Sequence, residues 1–204
     1  MVAMIAAMDN WAEVETVFLD RDGVLNAKAP EGEYVFRWED FHPLDGVAEA
    51  IASLNHAGMR TIVVTNQRGV ALGLYQVADV KRIHDQFQRL LGGQGAHLDA
   101  FYICPHDRGD CNCRKPLSGL FDQAVADFKN IAAARSVMIG DSLVDIQFGQ
   151  RLGMKTILIA GPAEHRAPGA EKAAELADVQ CSSLREAVEI LLGGRKKEER
   201  EPPG

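Results

Sequence analysis

Short apolar runs that stop at a polar residue able to do chemistry recur along this chain, and they constrain its fold more than any other feature. Thr16-Val17-Phe18-Leu19 stops at Asp20, with Asp22 close behind. Thr61-Ile62-Val63-Val64 stops at Thr65 and Asn66. Ala100-Phe101-Tyr102-Ile103 is followed by a loop that ends in Lys115, and Ser136-Val137-Met138-Ile139 leads to Gly140 and Asp141, with Asp145 beyond. Runs of this length and composition read as buried strands. Two more candidates lie at 155–159 and 177–181. Between them, apolar residues recur at helical spacing: Val47, Ile51 and Leu54, then Val77, Val80, Ile83, Phe87 and Leu90, then Leu120, Ala124, Val125 and Phe128. Strands alternating with helices predict an α/β chain, a Rossmann-like three-layer sandwich whose mainly parallel sheet carries helices on both faces. In such a sheet ligands bind beyond the carboxyl ends of the strands, so four distant segments converge on one edge.

The converging residues suit phosphoryl chemistry. Asp20 can attack phosphorus and become an acyl phosphate. Asp22 can protonate the leaving oxygen and later activate water. Lys115 neutralises charge on the phosphoryl oxygens, and the Thr65 hydroxyl donates to one of them. Several carboxylates together repel one another and an incoming phosphate. Mg²⁺, a hard ion that prefers oxygen, relieves that repulsion. Its expected ligands are Asp20, Asp141 and the backbone carbonyl of Asp22, with Asp145 as a further candidate. Each piece alone has an ordinary explanation as a turn, a helix cap or a solvated lysine. Their order and shared position after strands favour the chemical reading.

A second constellation precedes Lys115. Cys104, His106, Cys111 and Cys113 lie within ten residues. Three thiols and an imidazole complete a tetrahedral Zn²⁺ site with no open position, which implies a structural ion. A metal-free Cys-rich loop, or a redox pair of Cys111 and Cys113, is the alternative. Closing this loop would fix Arg114 and Lys115, which follow its last ligand.

Composition bounds the rest. The 204 residues suit one domain, expected over 15–192, with an extension at 1–14 and a charged, disordered tail at 193–204. A net charge of -7 argues against a nucleic-acid partner. No apolar run is long enough to span a membrane. Met1 to Met8 is apolar but lacks a basic flank, and Asp9, Glu13 and Glu15 follow, which argues against a signal peptide. The expectation is a cytoplasmic monomer with no membrane partner, and the charge still allows a small phosphorylated substrate, because one local basic pocket is enough. Cys181 reads as a core thiol, and the histidines outside the thiol loop, His84 among them, read as polar surface.

The motifs resemble those of the haloacid dehalogenase superfamily of phosphatases. Phe18 to Asn26 is similar to its first motif, Val64-Thr65-Asn66-Gln67 to its second, Arg114-Lys115-Pro116 to its third and Gly140 to Asp145 to its fourth. The resemblance covers about residues 16 to 190, in the family's order. Within the superfamily the chain most resembles the heptose-1,7-bisphosphate phosphatases and the related histidinol-phosphate phosphatases. Both carry a zinc loop before the third motif and lack a large cap domain. The resemblance implies a small phosphorylated sugar as substrate, a phospho-aspartyl intermediate on Asp20 and substrate contacts from Tyr34, Asn66, Gln67, Arg68 and Arg114. Gly32-Glu33-Tyr34-Val35 and the stretch from Thr65 to Gly73 lean towards the heptose enzymes. Three positions depart from their pattern: Leu72 stands where arginine is expected, Ser142 where lysine is expected, and Arg68 where a small residue is usual. The segment from Asn26 to Glu33 is also slightly longer. A histidinol-phosphate phosphatase, a nucleic-acid 3′-phosphatase and a catalytically inactive, zinc-stabilised phosphate-binding module are the competing readings.

Overall fold

All six candidate strands form and join one sheet. In the computed structural model, which describes residues 11–30, 32–161 and 169–198, they are β1 (Thr16–Leu19), β2 (Arg60–Asn66), β3 (Ala100–Cys104), β4 (Ser136–Gly140), β5 (Lys155–Ile159) and β6 (Val179–Cys181). Their order is β3-β2-β1-β4-β5-β6, and every neighbouring pair is parallel. Strands β2 and β3 outlast their apolar runs because Asn66 still pairs in register with Cys104. The helices are α1 (Val47–His56), α2 (Val77–Gly92), α3 (Gly119–Asp127), α4 (Leu143–Leu152), α5 (Ala170–Leu176) and α6 (Leu184–Glu198).

Side chains alternate across the strands, so each strand feeds two cores. Val17, Leu19, Val63, Val137 and Ile139 pack with Ile51 and Leu54 of α1, Ile83 and Phe87 of α2, and Leu191 of α6. Phe18, Ile62, Val64 and Met138 point the other way, towards Leu120 of α3 and Phe148 of α4. These side chains are almost wholly buried. Each fully buried one stabilises the fold by about 1.5–3 kcal/mol. Burial on both faces is why the strands read as unbroken apolar runs rather than as alternation.

The chain winds outward from β1 to β3 and returns to place β4 on the other side of β1. The strand order reverses between β1 and β4. The loops after these two strands diverge there and leave a crevice, the usual ligand position in open α/β sheets. Asp20 follows β1, and Asp141 follows β4.

Three expectations change. Trp11 and Val14 are 2% and 0% exposed and belong to the first core, so the domain begins before residue 15. Residues 1–10 of the expected extension lie outside the described residues. Helix α6 continues to Glu198, past Leu192 where the domain was expected to end. Leu184, Ala187, Val188 and Leu191 anchor it, and Arg, Lys and Glu propagate a helix already begun. Residues 199–204 lie outside the described set. His84 is not polar surface: it is 4% exposed and stacks on Phe101 with ring centroids 4.4 Å apart. Burial pushes its imidazole down to about 3, so the ring is neutral.

Candidate active site

Asp20 leaves β1 with its backbone N–H donating to the Ile139 carbonyl at 3.0 Å. This bond fixes the Asp20 backbone against β4. The Lys115 ammonium donates to Asp20 Oδ1 at 2.9 Å and to Asp145 Oδ1 at 2.6 Å. Lys115 is 3% exposed, so both ion pairs are shielded from water. Its backbone is clamped as well. The Lys115 N–H donates to Asn66 Oδ1 at 3.0 Å, and Asn66 Nδ2 donates back to the Lys115 carbonyl at 3.2 Å.

Asp145 lies in the first turn of α4 and completes a capping box with Ser142. The Ser142 hydroxyl and N–H donate to Asp145 Oδ2 at 2.5 and 3.2 Å. With Lys115 on its other oxygen, Asp145 steers the ammonium. Gly140 makes this possible, because a Cβ there would collide with the Asp145 side chain.

Asp22 is held from three sides. Arg21 Nε and Nη2 donate to its carboxylate at 2.9–3.2 Å. Asn26 Nδ2 donates to Oδ1 at 2.9 Å, and Gln67 Nε2 donates to Oδ2 at 3.1 Å. Arg21 is 1% exposed and also donates to the Val35 carbonyl at 3.0 Å. Gln67 was expected to touch substrate, but it is 2% exposed and both ends of its amide are taken. Its Nε2 serves Asp22 and Thr65 Oγ1, and its Oε1 accepts from Tyr75. Gln67 therefore orients Asp22. Asn66, likewise expected at the substrate, is committed to Lys115. Sequence reading also missed Arg21 and Asn26 as the partners of Asp22. The pattern Asp-Arg-Asp held a signal, since a cation beside a catalytic carboxylate is the residue that would steer it.

The carboxylates share a strained electrostatic environment. One oxygen each from Asp20, Asp141 and Asp145 lie within 4.8 Å of one another. Burial and then Asp145 push Asp20 up to about 7, against the pull of Lys115. Burial and Asp145 push Asp141 up to about 6, against the pull of Lys28. Burial would lower the Lys115 ammonium, but Asp145 and Asp20 outweigh it and hold its pKa well above the ordinary range. Asp141 Oδ1 is buried with no hydrogen-bond partner among the described residues. Clustered carboxylate oxygens, one of them orphaned, suit a hard divalent cation.

The second cluster also forms. Sγ of Cys104, Cys111 and Cys113 and Nδ1 of His106 lie 3.2–3.8 Å apart along four edges. A tetrahedral ion with Zn–S near 2.3 Å separates its ligands by about 3.8 Å. The thiols are not disulfide-bonded. Cys104 ends β3, and Cys113 lies two residues before Lys115, so the loop spans from the sheet to the buried ammonium.

The rim is looser. Tyr34 leans on Tyr75 at 5.9 Å, and Tyr75 stacks on Phe36 at 5.3 Å. Arg68 reaches the thiol loop, donating through Nε and Nη2 to Asp107 at 2.6 and 3.2 Å. It was expected at the substrate, but that fork is already filled. Arg114 Nη1 is buried without a hydrogen-bond partner among the described residues. Leu72, in place of a cation, is 44% exposed.

A HAD-hydrolase-like family model matches residues 112–187. The D-glycero-alpha-D-manno-heptose-1,7-bisphosphate 7-phosphatase of Mycobacterium tuberculosis is 36% identical over 169 residues, covering 82% of this chain and 86% of that one. The D-glycero-beta-D-manno-heptose-1,7-bisphosphate 7-phosphatase of Vibrio cholerae is 34% identical over 188 residues, covering 88% and 97%. Among solved structures, the D,D-heptose 1,7-bisphosphate phosphatase of B. bronchiseptica, complexed with magnesium and phosphate, superposes with a TM-score of 0.76 at 31% identity, covering 88% of this chain and 99% of that one.

Proposed function

This chain belongs to the heptose-1,7-bisphosphate 7-phosphatase family of HAD-like hydrolases, and from that premise we propose that it removes the 7-phosphate of a D-glycero-D-manno-heptose 1,7-bisphosphate. The observation that carries this reading is the arrangement around Asp20. A carboxylate stands at the β1/β4 crevice with a buried ammonium 2.9 Å away, and a second carboxylate is steered by three side chains.

Asp20 attacks phosphorus, and the bond to the sugar oxygen breaks as Asp22 delivers its proton. The acyl phosphate on Asp20 is then hydrolysed by water that gives a proton back to Asp22. Arg21, Asn26 and Gln67 keep Asp22 in place for both transfers. Lys115 balances charge on the phosphoryl oxygens, held by Asp145 and by Asn66. Thr65 Oγ1 accepts from Gln67 and keeps its own proton for a phosphoryl oxygen. Asp20, Asp141 and the Asp22 carbonyl would hold Mg²⁺, which when bound keeps the carboxylates ionised and shares the phosphate charge. Cys104, His106, Cys111 and Cys113 would hold Zn²⁺ and fix the loop that delivers Lys115. Arg114 and Tyr34 would meet the sugar side of the substrate. The protein would act as a cytoplasmic monomer. No helix among the described residues is long and apolar enough to cross a membrane.

The test is phosphate release with Mg²⁺ from three substrates: both anomers of the heptose bisphosphate and histidinol phosphate. Loss of the 7-phosphate alone, read by phosphorus NMR, is the expected result. Preference for histidinol phosphate would replace the heptose assignment, and no release from any substrate would leave a phosphate-binding module.

A further inference from the structure

Lys28, two residues past Asn26, brings a second ammonium to the carboxylates. The Lys28 ammonium forms an ion pair with Asp141 Oδ2. Burial disfavours the ammonium, but Asp141, and after it Asp20 and Asp145, hold its pKa above the ordinary range. Gly23 opens the path. Its φ is +92°, and a Cβ there would strike Asp141 Oδ2 and come within 2.9 Å of Lys28 Cε. A side chain at residue 23 would fill the space that the lysine stem and the carboxylate occupy. The Lys28 side chain is 37% exposed, so the ammonium enters from the solvent side, while Lys115 at 1% is built into the floor.

The charge count gives this a consequence. With all three carboxylates ionised, Lys115 leaves the cluster at -2, and Lys28 brings it to -1. A divalent cation balances the cluster only when Lys28 has left. With both present, a monocation and a dication would share one carboxylate in a partly desolvated crevice, where like charges repel strongly. We propose that Lys28 is a resident counter-ion of the carboxylate cluster, displaced when the divalent cation binds, and that it thereby weakens this protein's affinity for its metal. Lys28 is a positioning residue, since it acts on Asp141 rather than on the reacting atoms. The proposal rests on the cation site described above.

Calorimetric titration of Mg²⁺ into zinc-loaded protein, at fixed pH and ionic strength and without substrate, tests it. Lys28→Met should bind Mg²⁺ roughly 5- to 100-fold more tightly than wild type, the range of ordinary site-to-site coupling. Lys28→Arg, which keeps the charge, should stay close to wild type. Melting curves without Mg²⁺ provide a second reading: Lys28→Met should melt lower, because three carboxylates then face one ammonium. Equal or weaker Mg²⁺ binding by Lys28→Met overturns the proposal and leaves the phosphatase reading intact. Absence of Mg²⁺ binding by all three proteins overturns it together with the cation site.

Discussion

The carboxylate cluster and the thiol cluster are both sets of like ligands gathered within 4.8 Å, but the fold holds them differently. Asp20, Asp141 and Asp145 start from the ends of two central, hydrogen-bonded strands and the first turn of a helix. Two lysines from this chain partly balance them. The four ligands of the second cluster sit on one loop, with Cys104 alone in a strand. The carboxylate set therefore has strand anchors and counter-charge of its own. In the proposed function its metal would serve chemistry, and the metal of the thiol loop would serve structure.

The largest effect should come from the first site. Asp20→Asn keeps the shape and removes the nucleophile. Turnover should fall by about 10⁴-fold or more, while the far-UV circular dichroism spectrum changes little. Rapid-quench assays with ³²P-labelled substrate should find phosphoenzyme in wild type and none in the variant. Substantial turnover by the variant would show that Asp20 is not the attacking group.

The second site should respond more gently. Cys111→Ser, or removal of zinc checked by elemental analysis, should lower kcat/KM by about 10- to 100-fold, as for groups that orient a site rather than react. Far-UV circular dichroism should change little, because the loop reaches only the second core, through Cys104, Cys113 and the partly buried Cys111, and the first core contains none of its residues. Full activity in verified zinc-free protein would erase the contrast between the clusters. Global unfolding would make zinc a requirement of the whole fold.

These two sites were legible in the sequence to different depths. Asp20, Asp22, Lys115 and Asp141 stand out because each follows an apolar run that has nowhere to go but a buried strand. Cys104, His106, Cys111 and Cys113 stand out by spacing alone. The residues that aim the catalytic groups were hidden. Arg21 is fixed by the Val35 carbonyl, and Asn66 by the backbone of Lys115, 49 residues away. Such bonds depend on loop paths that periodicity does not encode. His84 was different, since its signal was present and overlooked. It stands four residues after Val80 and three before Phe87, on the buried stripe of α2. Lys28 could not be placed, because nothing in the neighbouring sequence reveals that its side chain lies beside Gly23 and Asp141.

Proton linkage offers an intermediate effect. Asp20 and Asp141 are raised from 3.8 to about 7 and about 6, so the folded state binds protons more tightly than the unfolded chain. Stability of the magnesium-free protein should therefore be fullest below about pH 4 at these sites, and should be lost as pH rises through 6 to 7. Mg²⁺ needs the ionised oxygens and should act in the opposite sense. At about 100 times its dissociation constant it adds about 2.7 kcal/mol, or about 5–10 °C in a domain of this size. The rise should be larger at pH 7.5 than at pH 5. Zinc-loaded protein desalted without chelator keeps the thiol site out of the comparison. An equal rise at both pH values would mean that the cation binds elsewhere.

The smallest effect concerns the strap between the two regions. Arg68 leaves the turn after β2 and grips Asp107 inside the thiol loop. The pair is about one-third exposed on each side, and exposed pairs contribute little to stability. If the guanidinium is committed to Asp107, Arg68→Ala should change KM by less than about threefold and leave kcat unchanged. Asp107→Asn should do the same, and the double variant should be no worse than either, because both changes remove one interaction. A steep rise in KM confined to Arg68→Ala would show that Arg68 leaves Asp107 for the substrate. The thiol loop would then keep its place without the Arg68 strap.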